Sequence, residues 1–270
     1  MAIKCETVRY GDQVGFFAAP ERAKRPLPGV IVIHEILGLN EHIEDVTRRI
    51  AAAGYAAFAP DLFAVRGERP AHLTRERLAQ AWDNMIKMPP GAMRDPAMRA
   101  VELARLPEPD RSRIAETQAG INAVFGRMAD FVSALRLAFR YLVGTRPETK
   151  SQKVASVGFC MGGGLSALLA CEEPGLSGAA VFYGSSPENE KAAAITCPVI
   201  GFYGGEDGRV NNGIPAFEEV LRASDTSFEK HVYAGANHAF FNDSGPTYDE
   251  VAVRDSWPRL LCFFAKVLTG

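Results

Sequence analysis

The 270-residue sequence has no surplus of charge, since 30 Lys and Arg face 32 Asp and Glu and leave a formal net charge of −2. It therefore lacks the clustered cations that neutralise phosphates, which excludes nucleic acid as a partner. Long apolar runs are missing too: no window approaches the ~18 uninterrupted apolar residues of a membrane span. The first ten residues, MAIKCETVRY, carry Lys4, Glu6 and Arg9 and have no apolar stretch of a secretory signal. Cysteine is sparse and scattered at Cys5, Cys160, Cys171, Cys197 and Cys262, with no C-x-x-C pair. This excludes a disulfide framework and a zinc site and points to a reducing cytoplasm. Repeats and low-complexity tracts are absent. What remains is 47% hydrophobic and 23% charged. The length fits one large globular domain or two small ones and supports a core without staples.

Ile3 to Tyr10 and Val14 to Ala19 alternate around Gly11-Asp12, which predicts an antiparallel hairpin. Gly29 to Ile33 is a continuous β-branched run, the mark of a strand buried on both faces. Asn40 caps a helix whose Ile43, Val46, Ile50 and Ala53 fall at helical spacing, and Tyr55 to Ala59 is the next strand. From Ala64 to Gln118 the character changes. Six of the 17 prolines and four of the seven methionines lie there, with no β-branched run, which predicts a helical insertion or lid over 64–118. A long amphipathic helix is expected over Ile121 to Val143. Strands then recur at Val154 to Gly158, Gly178 to Tyr183, Pro198 to Tyr203 and Phe228 to Tyr233. Helices are expected from Met161, near Ile214 to Arg222, and from Tyr248 to Leu268. This rhythm predicts an α/β fold with a mostly parallel, doubly wound sheet led by the hairpin.

Gly158-Phe159-Cys160-Met161-Gly162 has the form G-x-nucleophile-x-G between a strand and a helix. The glycines let the turn hold its central residue in a strained backbone conformation. Cys160 would then stand at a helix N-terminus, where free N–H groups favour a thiolate and a developing oxyanion; the alternative is a buried cysteine in a packing turn. The chain order nucleophile, acid, histidine places the partners downstream, each just beyond a strand. Asp207 follows Val199 to Tyr203, with Glu206 its neighbouring rival, and His238 follows Phe228 to Tyr233. All project from the carboxyl ends of parallel strands, where open α/β sheets place their sites. Glu35 ends the buried Val30 to Ile33 run at the same rim, and an uncompensated charge there is costly. It needs a cationic partner or proton exchange with the thiol, unless it is solvated. The N–H groups of Ile36 and Met161 are the expected oxyanion-hole donors. Tyr183 either lines the pocket or closes the edge of the core.

HEILGLN, PDLF, GFCMGG, GGEDGRV and ANHAFFN, in this order, resemble the dienelactone hydrolase family of the α/β-hydrolase fold over roughly residues 28–63 and 118–270. The resemblance implies one α/β-hydrolase domain over 1–270 with Cys160, Asp207 and His238 as a triad. It also gives Glu35 a part in thiol activation. It implies cofactor-free and metal-free opening of an unsaturated lactone bearing a carboxylate, in the degradation of aromatic compounds. Two positions depart from the family pattern. An arginine is expected four residues after the histidine, where this chain has Asn242, and a neutral amide cannot clamp a carboxylate as a guanidinium does. A second carboxylate-binding arginine is expected within the insertion, where Arg75, ahead of Trp82, is the candidate and Trp82 a further lining residue. The readings are thus a lactone or small-ester hydrolase, an esterase or thioesterase for a less anionic substrate, or a non-catalytic small-ligand binder of the same fold. The expected partner is a small lactone or ester, and the expected state a monomer or small homo-oligomer.

Overall fold

The structure, a computed structural model, describes residues 2–24, 26–89, 91–92 and 95–270. Alternation sets the first elements: β1 (Ile3–Tyr10) and β2 (Gln13–Pro20) pair antiparallel, with Tyr10 opposite Gln13. The continuous apolar runs that follow, β3 (Gly29–Ile33) and β4 (Ala56–Pro60), are buried along their whole length. Between them runs α1 (Glu41–Ala52), capped by Asn40, whose side-chain oxygen accepts from the Ile43 N–H at 3.1 Å. Such a cap satisfies one of the orphan donors of the first turn and contributes about 1 kcal/mol.

Four helices separate β4 from the next strand: α2 (Arg75–Ile86), α3 (Pro96–Ala104), α4 (Asp110–Val124) and α5 (Met128–Gly144). The single helix expected over Ile121 to Val143 is two. A short 3-10 turn at Phe125–Arg127, around Gly126, ends α4 and starts α5. The apolar periodicity runs through this break because Ile121 and Val124 of α4 and Met128 and Phe131 of α5 pack against one layer.

The remainder follows the expected alternation. In order come β5 (Val154–Phe159), α6 (Met161–Glu172), β6 (Ala179–Phe182), α7 (Asn189–Ala192) and β7 (Val199–Gly204). The chain ends with α8 (Gly208–Asn211), α9 (Ile214–Ala223), β8 (Phe228–Tyr233) and α10 (Glu250–Thr269). The eight strands form one sheet in the order β1-β2-β4-β3-β5-β6-β7-β8, parallel from β4 to β8. Side-chain parity divides each central strand between two cores. Ile31 and Ile33 face the layer of Leu135, Leu142 and Leu165, whereas Val30 and Val32 face that of Ile43, Val46 and Phe264. Each such side chain, withdrawn fully from water, contributes roughly 1.5–3 kcal/mol. This double burial explains why these strands show no polar alternation.

Beneath the carboxyl edge of the sheet runs a ladder of rings. Phe159, Phe182 and Phe202 are register partners on β5, β6 and β7, with centroids 4.9 and 4.4 Å apart. His231 of β8 stacks on Phe202 at 5.5 Å. The ladder gives the loops above it a stiff floor.

Candidate active site

Cys160 occupies the one-residue turn between β5 and α6 at φ +54°, ψ −117°. Two close approaches make that turn depend on glycine. A Cβ on Gly158 would lie 1.8 Å from the Gly162 carbonyl oxygen, and one on Gly162 would lie 2.2 Å from the Ile33 oxygen. The N-terminus of α6 is thereby pressed onto the ends of β3 and β5, and Met161, its first residue, presents an N–H that the helix leaves unbonded. Two more non-glycine residues at positive φ stand at the same rim: Tyr183 (+40°) and Ala239 (+62°), directly after β6 and His238. Strained conformations of this kind persist only where surrounding contacts over-determine them.

His238 and Asp207 meet as the chain order predicts. His238 Nδ1 lies 2.5 Å from Asp207 Oδ2, and because a carboxylate only accepts, Nδ1 carries the proton. This leaves Nε2 free of the proton, and Cys160 is close enough to influence the ring's titration. Burial alone would lower the His238 pKa. Hydrogen-bonding and electrostatic interactions with Asp207 and Cys160 outweigh burial and push it up from 6.5 to about 10. The Asp207 loop is held by Asn211 Nδ2, which donates to the Gly204 carbonyl at 2.7 Å. Glu206 is exposed.

Glu35 is buried at 4% exposure, and its partners are neutral. Asn242 Nδ2 donates to Oε2 at 2.6 Å and the Tyr183 hydroxyl donates to Oε1 at 3.2 Å. Of the alternatives for this carboxylate, neither a cation nor solvent faces it: two oriented dipoles satisfy its oxygens. Ser244 fixes the amide, its N–H and Oγ donating to Asn242 Oδ1 at 3.0 and 2.6 Å, so that Nδ2 must point at Glu35. The Tyr183 ring is fully buried, and burial, the Glu35 charge and the nearby Cys160 push its hydroxyl pKa well above the usual value. Tyr183 therefore stays a donor.

His34, preceding Glu35, was not among the expected site residues. Its ring is fully buried, with Nδ1 donating to the Glu35 carbonyl at 2.7 Å and Nε2 accepting from the Leu62 N–H at 3.2 Å. Burial pushes its pKa down from 6.5 to about 4, so the ring is neutral, as both bonds require. The Glu35 carbonyl also accepts from the Gly38 N–H at 3.1 Å, which closes a turn with Ile36 inside it. Arg69 secures the far end of this loop, donating to Asp61 at 2.7 Å and to the Leu39 carbonyl at 2.8 Å. The signal for His34 lay in the sequence, since a polar ring ending a wholly apolar strand must find partners.

Of the residues expected on the insertion, Trp82 is half-buried on α2. Arg75 is 49% exposed, and its guanidinium is paired with Glu44 of α1. A surface groove of about 410 Å³, lined by Pro198, Val199, Ser227, Asp255 and Cys262, opens at the amino ends of β7 and β8, the other end of the sheet from Cys160. Among the described residues, no helix is long and apolar enough to cross a membrane.

A thiol, an imidazole oriented by a carboxylate, and N–H groups at a helix start can together perform acyl transfer. Comparison with known proteins agrees in kind. The family model described as Dienelactone hydrolase family matches residues 14–268. A Saccharolobus solfataricus protein provisionally named carboxymethylenebutenolidase is 36% identical over 253 residues, covering 93% of each chain. A Salmonella typhimurium protein of the same provisional name is 28% identical over 267 residues, covering 94% of this chain and 83% of its own. Among solved structures, a provisionally named dienelactone hydrolase from Klebsiella pneumoniae superposes with a TM-score of 0.71 at 26% identity. It covers 98% of this chain and 100% of its own.

Proposed function

The chain belongs to the dienelactone hydrolase family and is a hydrolase acting on ester bonds; from that premise we propose that it opens a lactone or small carboxylic ester without a cofactor, through Cys160, His238 and Asp207. The observation that carries this reading is His238, bonded to Asp207 through Nδ1, with its pKa raised in part by Cys160. The Cys160 sulfur, having passed its proton to His238, attacks the carbonyl carbon. The N–H groups of Ile36 and Met161 receive the oxyanion. Collapse breaks the ring C–O bond, His238 returns the proton to the departing oxygen, and a thioester remains. Water, deprotonated by His238, then releases the acid and the thiol. Glu35, which accepts from the Tyr183 hydroxyl, assists activation of the thiol.

The first substrate class is a dienelactone of the carboxymethylenebutenolide type, formed in aromatic-compound degradation. A second reading, an ester or thioester of lower negative charge, is favoured by one observation: Glu35 is met by the amide of Asn242 where a guanidinium would stand. Arg75 can meet a substrate carboxylate only by giving up Glu44, and Tyr183 and Trp82 would line the acyl pocket. We read residues 1–270 as one catalytic domain, with 64–118 as its insertion or lid. A reducing cytoplasm suits a catalytic thiol among five free cysteines.

Hydrolysis of a dienelactone and of a neutral aryl ester by wild type and Cys160→Ala tests the proposal. The variant is expected to lose about 10⁴-fold or more in kcat/KM on whichever substrate is turned over. Equal rates would overturn the nucleophile.

A further inference from the structure

Beside the site lies a second histidine–aspartate pair. His42, in the first turn of α1, has a side chain only 1% exposed, and its Nδ1 lies 3.0 Å from Asp243 Oδ1. The Asp243 pKa is lowered: burial opposes this, and the bonds from Arg49 and His42 outweigh it. Asp243 is therefore a carboxylate, which can only accept, and His42 Nδ1 carries the proton. His42 Nε2 is buried without a hydrogen-bond partner, and the ring edge meets Phe159, next to Cys160, at 6.3 Å. An apolar side chain would fill this space with no orphaned atom. The polar return on the histidine is its bond to Asp243.

Asp243 adjoins Asn242, whose amide holds Glu35, and both lie on the loop that carries His238. The Glu35 loop leads directly into α1. Two cross-links thus join the Glu35 segment to the His238 loop: Asn242 to Glu35, and His42 to Asp243. The remaining tie, Arg49 to Asp243 at 2.5 Å, is shared with Asp45 at the surface, where water screens it. We infer that His42, itself buried, and Asp243, which is 37% exposed, form a latch that positions Asn242 on Glu35, making His42 a positioning residue for the reaction although it touches no reacting atom. The inference rests on the proposed role of Glu35 and Cys160.

The test compares His42→Leu, which removes the donor, with His42→Asn, whose amide nitrogen replaces Nδ1, each alone and combined with Glu35→Gln. The readouts are kcat and KM on the ester that wild type hydrolyses, and the rate of Cys160 alkylation by iodoacetamide. His42→Leu is expected to lower kcat and the alkylation rate about tenfold with KM unchanged, the size of one lost hydrogen bond to a charged group. His42→Asn should recover most of that loss. In the Glu35→Gln background His42→Leu should cost nothing more, because both changes act through the same carboxylate. Asp243→Ala, at a partly exposed position, should repeat the pattern and carries the test if His42→Leu does not fold. Losses that add in the double variant, a change confined to KM, or failure of His42→Asn to restore kcat would overturn the latch while Cys160→Ala stays inactive. Wild-type rates in Cys160→Ala or Glu35→Gln would instead overturn the reading of the site, and the latch with it.

Discussion

The loops at the carboxyl edge of the sheet and α3 with its flanking turns are built on opposite terms. In the loops, Glu35, His34, Asp207 and Asn242 are buried and hydrogen-bonded, and Cys160, Tyr183 and Ala239 hold left-handed backbone conformations. By contrast, α3 buries none of its side chains and Val101 is 56% exposed. The helix-surface ion pairs Arg105–Glu102 and Arg111–Glu108 are open to water. Such pairs contribute little, typically about 0–1 kcal/mol. Proton transfer requires atoms held within a few tenths of an ångström, and only the over-determined region provides that. α3, which buries no side chain, carries no such constraint.

A pair of glycines gives the sharpest way to break this contrast. Gly158→Ala drives a Cβ into the Gly162 backbone, and we expect a destabilisation beyond about 4 kcal/mol. Gly126→Ala, between α4 and α5, meets nothing within 4 Å and should be neutral or stabilising by up to about 1 kcal/mol. Urea midpoints check both, and equal effects would erase the distinction.

The pH dependence of stability should come from the loops. His238, with its pKa raised to about 10, binds a proton more tightly folded than unfolded. Its contribution is complete below 6.5 and is lost as pH rises through about 10. His34 has the opposite sign. With its pKa lowered to about 4, its contribution is complete above 6.5 and is lost as pH falls through about 4. Unfolding free energies between those limits should show an acid-side slope that His34→Gln flattens and an alkaline-side slope that His238→Gln flattens. Slopes unchanged in both variants would place the titration elsewhere.

The smallest effect is expected on the insertion. Arg75→Ala should leave kcat and KM for a neutral ester unchanged, and a rise of more than about threefold in KM for a carboxylate-bearing substrate would show that Arg75 leaves Glu44 to bind it. Stability should move by less than about 0.5 kcal/mol.

Much of this was legible in the chain. Val30 to Ile33 could only be a doubly buried strand, and G-F-C-M-G could only turn sharply because each glycine removes a Cβ that would collide. The ordered partners Asp207 and His238 followed from strand ends. The break at Phe125–Arg127 was hidden because periodicity records which face is apolar, not whether the axis is continuous. Which of the alternatives for Glu35 holds was not legible either, since burial of a carboxylate demands donors and not a particular charge. Nothing local distinguished His42 from a surface histidine near the start of a helix, because its partner lies 201 residues away.

The sequence by itself determined the strands, their alternation with helices and the sharp glycine-bounded turn at Cys160. These depend on short-range sterics and on hydrophobic period, which neighbouring residues encode completely. Only the tertiary structure decided who faces Glu35, which nitrogen of each histidine bears the proton, and where Arg75 spends its charge. Hydrogen-bond partners of buried groups are set by which loops the sheet brings within about 3 Å of each other, and that distance is a property of the packed chain.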